Sequence, residues 1–285
     1  MKRKILICIS IVFFSISSLC GKDSKNLSVA HIISEQKRIE TKIYEKGEEK
    51  KKYPEQELYP LTDGVADISE FLNRNYRVMF ILKEGYDDFD EYGYPLGGGW
   101  MITAGDQKGD YPNKVSLTWR RIMQVSYGIF FEEKDFSKIP KIPSSFKGTD
   151  VYGRIIKSVA YINTNKMPAY KTSNDYDLRE NFNFWKDILQ EQMQLYDPEI
   201  VIFCGTYKFY KNSFSELFGT KAPSDTDMKI NGDSNIVKGA FKDSKNRLFI
   251  NAVHPGNGYL KGGDEAFFSD IIKVVNDYKK NKLKK

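Results

Sequence analysis

Four short apolar runs, separated by stretches with helical spacing, constrain the fold of this chain more than any other feature. The runs are Arg77–Leu82, Val159–Ile162, Ile200–Cys204 and Leu248–Val253. Short apolar runs without polar alternation are typical of parallel strands that are buried on both faces. The chain is 40% hydrophobic, which is enough for a real core and excludes global disorder.

The segments between and after these runs carry the spacing of amphipathic helices. They are Lys114–Phe130, Phe182–Tyr196 and Glu265–Tyr278. Alternating strands and helices imply a parallel sheet covered by helices on both faces. We therefore predict an α/β fold of three layers, α/β/α, around a central four-stranded parallel sheet. Arg77–Leu82 and Ile200–Cys204 are expected to be its central strands.

The first 20 residues have the pattern of a targeting segment. Three basic residues, Lys2 to Lys4, precede the apolar run Ile5–Ile16, and the segment ends at Cys20. This pattern leaves four alternatives: a lipoprotein signal ending at Cys20, simple secretion, an uncleaved membrane anchor, or a mis-assigned start codon. The first three predict an exported or membrane-anchored protein, and the last predicts a cytoplasmic one.

Residues 21–75 are predicted as a charged tether before a domain formed by residues 76–285, and Lys22 to about Thr62 is expected to pack poorly on that domain. The net charge of +6 permits contact with a polyanion but does not require it. The three cysteines have no zinc or iron–sulfur spacing, so no metal or other cofactor is predicted. We expect a monomer.

The residues just after each predicted strand are the candidates for a functional site, because open α/β sheets bind ligands beyond the carboxyl ends of their strands. Those residues are Glu84, Asp87 and Asp88 after the first run, Asn163 after the second, Gly205 after the third and His254 after the fourth. Each alone is more typical of a cap or a turn. Their order along the chain and their predicted position at one edge of the sheet together indicate a functional site.

That order resembles the motifs of the uracil-DNA glycosylase superfamily. Glu84 is followed at residues 93–98 by Gly-Tyr-Pro-Leu-Gly-Gly, which is similar to a Gly-x-Pro-Phe-x-Gly segment of that family. Asn163 and Lys166 match an Asn-x-x-Lys segment after the second strand. His254-Pro255-Gly256 is similar to a His-Pro-Ser segment after the fourth. The resemblance spans roughly residues 77–280.

The sequence also departs from the family pattern in the first motif. Lys83 stands where the family has a glycine, and Gly85-Tyr86 stands where it has Ala-Pro. Gly85 also occupies the position at which one branch has a water-activating aspartate, and Gly256 replaces the serine of the last motif. We therefore expect weak glycosylase activity, or none, on uracil in duplex DNA.

The resemblance implies a DNA partner and hydrolysis of the N-glycosidic bond of a flipped-out base. The leaving base then needs a hydrogen-bond donor, and the sugar needs a nearby carboxylate. The implied donor is His254, and the candidate carboxylates are Glu84, Asp87 and Asp88. The implied substrate contacts are Asn163 at the base edge, Tyr86 or Leu96 on the base face, and Lys166 and Asn257 at the DNA backbone.

Two other functions compete with this one. The first is an exported module on the same fold that is inactive or repurposed for binding, which the N-terminal segment favours. The second is an unrelated esterase-type hydrolase, which is disfavoured because the chain has no Gly-x-Ser-x-Gly motif and only one histidine, His254, in the predicted domain.

Overall fold

The computed structural model describes residues 23–50, 60–85, 116–143, 148–168, 174–224, 228 and 234–280, with side chains from residue 29 onward. These residues form an α/β fold around one mixed sheet of six strands in the order β1-β3-β2-β4-β6-β5. The strands are β1 (Gly64–Val65), β2 (Val78–Leu82), β3 (Ala160–Asn163), β4 (Ile200–Cys204), β5 (Val237–Lys242) and β6 (Leu248–Ala252).

The four predicted strands lie next to one another in the sheet and run parallel. They are β3, β2, β4 and β6, with β2 and β4 at the centre, as predicted. The prediction of a sheet with only four strands was wrong, because β1 and β5 pair antiparallel at its two edges. β1 has only two residues, and β5 contains Gly239 and a bulge, so neither carries the continuous apolar run of a central strand.

The helices include all three predicted from the apolar spacing. They are α1 (Asp23–Lys50), α2 (Ile68–Asn73), α3 (Leu117–Phe131), α4 (Val151–Lys157), α5 (Asp175–Tyr196), α6 (Tyr207–Tyr210), α7 (Phe214–Phe218) and α8 (Gly263–Lys279). Side-chain caps fix the starts of three described α-helices, and at α2 the Asp67 carboxylate accepts from the Glu70 N–H. The Ser116 hydroxyl accepts from the Trp119 N–H, and the Asn174 carboxamide oxygen accepts from the Asp177 N–H.

Two hydrophobic clusters pack on opposite faces of the sheet. Alternate residues of β2 divide between them: Val78, Phe80 and Leu82 join one cluster, whereas Met79 and Ile81 join the other. The first cluster includes residues of α3, α4 and α8. The second includes residues of α1, α2 and α5 to α7. We refer to these faces as the α3 face and the α5 face.

The predicted tether is in large part a packed helix, so that prediction was wrong for the described residues. α1 buries Ile32, Ile39 and Ile43 in the cluster on the α5 face. Near its end a Cβ on Gly47 would lie only 2.0 Å from Pro60 Cγ, so the two segments cross closely there. Within the described part of the charged stretch, Glu45, Glu48 and Glu49 are exposed. The basic residues Arg38, Lys42 and Lys46 form ion pairs with Glu191 and Asp187 of α5.

Residues 1–20 lie outside the described part of the chain, and their predicted role in targeting stays a prediction. Within the described residues, no helix has both the length and the apolar character needed to span a bilayer.

We predict that Ile39→Ala lowers the free energy of unfolding by about 2–5 kcal/mol, the usual cost of emptying a buried isoleucine site. Ile39 is 2% exposed. Ile33, on the same helix and 41% exposed, is the matched control, and Ile33→Ala is expected to change stability by less than about 1 kcal/mol. Urea denaturation measures both. Equal and small effects would mean that α1 does not pack on the domain.

Candidate functional site

The carboxyl ends of the four parallel strands form one edge, and hydrogen bonds continue past the strand ends. The backbone N–H of Asn165 donates to the Lys83 carbonyl at 2.9 Å, which joins the residues after β3 and β2. The N–H of Gly205 donates to the Ala252 carbonyl at 2.7 Å, which joins β4 and β6. These bonds fix the first loop residues after the strands, so the candidate residues that follow the strands lie along one edge of the sheet.

His254 follows β6 and begins a tight turn. The backbone N–H of Gly256 donates to His254 Nδ1 at 3.0 Å, and the Asn257 N–H donates to the His254 carbonyl at 3.1 Å. Because Nδ1 accepts, a neutral His254 carries its proton on Nε2. Burial and, to a smaller extent, the positive charge of Lys83 together lower the pKa of His254 to about 4. At neutral pH His254 therefore presents an uncharged Nε2–H donor.

Gly205, which directly follows β4, lies beside both Lys83 and His254. A Cβ on Gly205 would lie 3.5 Å from the His254 backbone nitrogen and 3.7 Å from Lys83 Cε. Gly205 also has φ of +73°, a left-handed conformation that favours glycine. No hydrogen bond or ion pair of the Lys83 side chain occurs among the described residues, and its positive charge lowers the pKa of both His254 and Asp175.

Asn163, the last residue of β3, has a completely buried side chain. Neither its carboxamide oxygen nor its nitrogen has a hydrogen-bond partner within the described part of the chain. Strand alternation puts this side chain on the α3 face, as it does Tyr161, whose ring stacks on Trp119 of α3 at 4.6 Å. An unpaired buried amide costs about 1–3 kcal/mol, so such a group calls for a functional explanation.

Glu84 follows β2 and is held by a residue that sequence reasoning missed. One Glu84 carboxylate oxygen accepts from Asn165 Nδ2 at 2.9 Å. The carboxamide oxygen of Asn165 accepts in turn from the indole N–H of Trp185 on α5 at 3.0 Å. This chain of bonds leads toward the α5 face, whereas Asn163 lies on the α3 face. The only sequence signal for Asn165 was its place just after a strand.

Lys166 does not have the environment expected of a DNA-backbone contact. Its ammonium is fully buried and donates to both Asp63 carboxylate oxygens at 2.7 Å and to the Gln192 carboxamide oxygen at 2.8 Å. These contacts use its donors inside the protein, so no donor is left for a phosphate. The prediction is corrected accordingly: Lys166 belongs to a buried ion pair that joins the loop after β3 to Asp63, just before β1.

Asn257 lies in the exposed turn after His254, where its carboxamide oxygen accepts from the Tyr259 N–H at 3.0 Å. Its role at a DNA backbone stays a prediction. The turn packs against the first turn of α3, because a Cβ on Gly256 would lie 2.6 Å from Thr118 Oγ1 and 3.0 Å from His254 Nδ1. A side chain at position 256 would therefore require Thr118 or His254 to shift.

The structure describes some of the predicted site residues and not others. Glu84, Asn163 and His254 come to the same edge of the sheet from three strands. Tyr86, Asp87, Asp88 and Leu96 lie outside the described residues, and their roles stay predictions. Among the described side chains, no group of three or more His, Cys, Asp or Glu is arranged to hold a metal ion.

Comparison with known protein families finds no family that matches this chain, and a search of curated proteins finds no significant match. The candidate site therefore rests on its own geometry and on the motif resemblance.

We predict that acid destabilises the protein partly through His254. Its folded pKa of about 4 lies below its ordinary value of 6.5, so the unfolded chain binds the proton more tightly. Stability therefore falls as pH drops from about 6.5 to 4, by up to roughly 3 kcal/mol from this group. Denaturation across that range should show a flatter pH dependence for His254→Gln. Identical curves for the two proteins would contradict the half-buried, neutral imidazole.

Proposed function

We propose that the protein binds an unpaired nucleobase of DNA at this edge of the sheet and slowly hydrolyses its N-glycosidic bond. It would thus act as a uracil-DNA glycosylase-like hydrolase on a three-layer α/β/α fold. The observation that carries the proposal is the hydrogen bond from the Gly256 N–H to His254 Nδ1. It implies a neutral imidazole whose Nε2–H has no partner among the described residues and can donate to a ligand.

His254 suits the chemistry of a departing base. When the bond between the base and deoxyribose breaks, negative charge develops on the base and gathers at its carbonyl oxygens. A neutral N–H donor stabilises that charge by a hydrogen bond. Since burial already disfavours the charged imidazole, His254 does not need to gain or lose a proton during the reaction. The ammonium of Lys83 adds favourable charge for the same leaving group.

Asn163 suits recognition of the base edge. Its carboxamide offers one donor and one acceptor side by side, which matches a neighbouring carbonyl and ring N–H of uracil or hypoxanthine. The buried and unpaired state of both atoms means that a bound base would satisfy hydrogen bonds that the protein leaves open. A ligand without such an edge leaves them unpaired and is disfavoured.

The proposed hydrolysis also needs a carboxylate beside the sugar, and no described residue is held there by the contacts above. The oxocarbenium-like sugar and its attacking water call for Glu84, Asp87 or Asp88 close to the reacting carbon. Glu84 is engaged with Asn165, toward the α5 face. Gly85, where an active branch has its aspartate, has no side chain to act with and leaves the loop less preorganised. Turnover on uracil in duplex DNA is therefore expected to be far below that of a fully equipped glycosylase.

A second candidate function is binding without cleavage. The bond from Asn165 favours it, because it draws one Glu84 oxygen toward the α5 face, whereas Asn163 lies on the α3 face. A site without a carboxylate beside the sugar would bind a base and leave the bond intact. An exported protein with that property would act as a binding module for single-stranded DNA or for a nucleotide.

An activity assay on single-stranded DNA containing one uracil or hypoxanthine tests the proposal. We expect slow release of the base by the full chain. His254→Ala is expected to lower the rate about 100-fold or more, the usual effect of removing one positioned donor. In the otherwise unmodified protein, Asp87→Asn combined with Asp88→Asn should abolish base release if these residues supply the carboxylate. Asn163→Ala should weaken binding.

His31→Ala is the matched control, because His31 is the other histidine of the chain and lies exposed on α1. Binding that depends on Asn163 without any cleavage would favour the second candidate. Cleavage that is insensitive to His254→Ala, or the absence of both binding and cleavage, would overturn the proposal.

A further inference from the structure

Arg121 is a buried arginine on the inner side of α3 that no local sequence signal singles out. Its side chain is 3% exposed. Nε donates to an Asp264 carboxylate oxygen at 2.9 Å, and Nη1 donates to two backbone carbonyls, those of Pro255 at 2.8 Å and Asn257 at 2.7 Å. The planar guanidinium thus joins the first turn of α8 to the turn that carries His254.

The bond to Pro255 acts directly on His254 through one peptide unit. The Pro255 carbonyl and the Gly256 N–H belong to the same planar peptide and point in opposite directions when it is trans. When Arg121 holds the carbonyl, the N–H is aimed to the other side, where it meets His254 Nδ1 at 3.0 Å. The bond to Asn257 holds the next part of the turn, which restricts rotation of this peptide.

The position of Arg121 is itself fixed from several sides. Asp264, in the first turn of α8, accepts from both Arg120 and Arg121, so the buried positive charge is paired. The Phe267 ring lies 5.6 Å from the guanidinium carbon. On the other side of the turn, Gly256 packs so closely against Thr118 that it has no room for a Cβ.

We propose that Arg121 is a positioning residue that sets the tautomer of His254 through the Pro255–Gly256 peptide. With the Gly256 N–H held against Nδ1, a proton on Nδ1 would face another donor, so both the Nδ1–H tautomer and the doubly protonated ring are disfavoured. Arg121 thereby keeps Nε2–H as the donor. The catalytic consequence rests on the proposed function, whereas the tautomer does not.

The spectroscopic test uses protein labelled with ¹⁵N-histidine, which contains only two histidines. In the unmodified protein at pH 7 we expect His254 Nδ1 to appear as an unprotonated nitrogen that accepts a hydrogen bond, and Nε2 as a protonated one. In Arg121→Gln we expect a mixture of tautomers. We also expect His254 to bind its proton at least about tenfold more tightly. His31 provides the internal reference.

Arg120→Gln is the matched control, because Arg120 also donates to Asp264 but has no bond to the His254 turn among the described contacts. It should leave the His254 spectrum unchanged. Arg121→Lys keeps the charge but loses the planar fork, so it should behave like Arg121→Gln in the spectrum while its charge partner stays paired.

The inference is overturned if folded Arg121→Gln or Arg121→Lys keeps the original tautomer and proton affinity, or if Arg120→Gln changes them equally. If the Arg121 variants do not fold, a scalar coupling between Gly256 ¹⁵N and His254 Nδ1 in the unmodified protein decides the matter, since its absence removes the proposed link and its presence supports it. None of these measurements needs substrate. If the spectra agree with the proposal but no base is released from DNA, only the proposed hydrolysis is refuted. If the base is released, Arg121→Lys should lower kcat about tenfold and leave KM unchanged.

Discussion

The buried ion pair between Asp63 and Lys166 is the interaction on which the rest of the structure depends. Burial lowers the pKa of Lys166, and the Asp63 carboxylate opposes that change. The pair joins the segment before β1, the loop after β3 and, through Gln192, helix α5. Removing one partner of such a pair typically costs about 3–5 kcal/mol, because the other charge is left buried and uncompensated. The same carboxylate accepts a hydrogen bond from the backbone N–H of Asn163 at 2.5 Å. Asp63 therefore also fixes the end of β3, where the candidate site residue Asn163 lies.

The edge of the sheet beyond the strands divides into two halves with different character. On the α3 face, His254 is neutral and held by its turn, and Asn163 offers an unpaired carboxamide. Toward the α5 face, Glu84 is occupied by Asn165. In the proposed function the first half would recognise a base and stabilise it as an anion, whereas the Glu84 carboxylate is drawn toward the second half by Asn165. This asymmetry is the physical reason that base binding is the firmer part of the proposed function and hydrolysis the weaker part.

Sequence patterns predicted those parts of the molecule whose signals are local. The four central strands are continuous apolar runs, and the rule that sites follow parallel strands led directly to Glu84, Asn163 and His254. The parts that were missed depend on distant contacts. Lys166 was interpreted as a DNA contact from the motif resemblance alone. Its buried partner, Asp63, is 103 residues away in the sequence, so no local pattern indicates the ion pair. α1 was interpreted as a tether because its buried isoleucines are spaced among charges, and Arg121 sits in an ordinary helical pattern whose link to His254 exists only in three dimensions.

The central claim is that an unpaired base binds between Asn163 and His254, and it holds for both candidate functions. Its most direct test is a crystal structure of the protein with single-stranded DNA carrying 2′-fluoro-2′-deoxyuridine, whose fluorine slows loss of the base by destabilising the cationic sugar. The account predicts the uracil edge about 3 Å from the Asn163 carboxamide and a base carbonyl at His254 Nε2. A base bound elsewhere on the protein, or an Asn163 side chain that remains without a ligand partner while the DNA is bound, would contradict it.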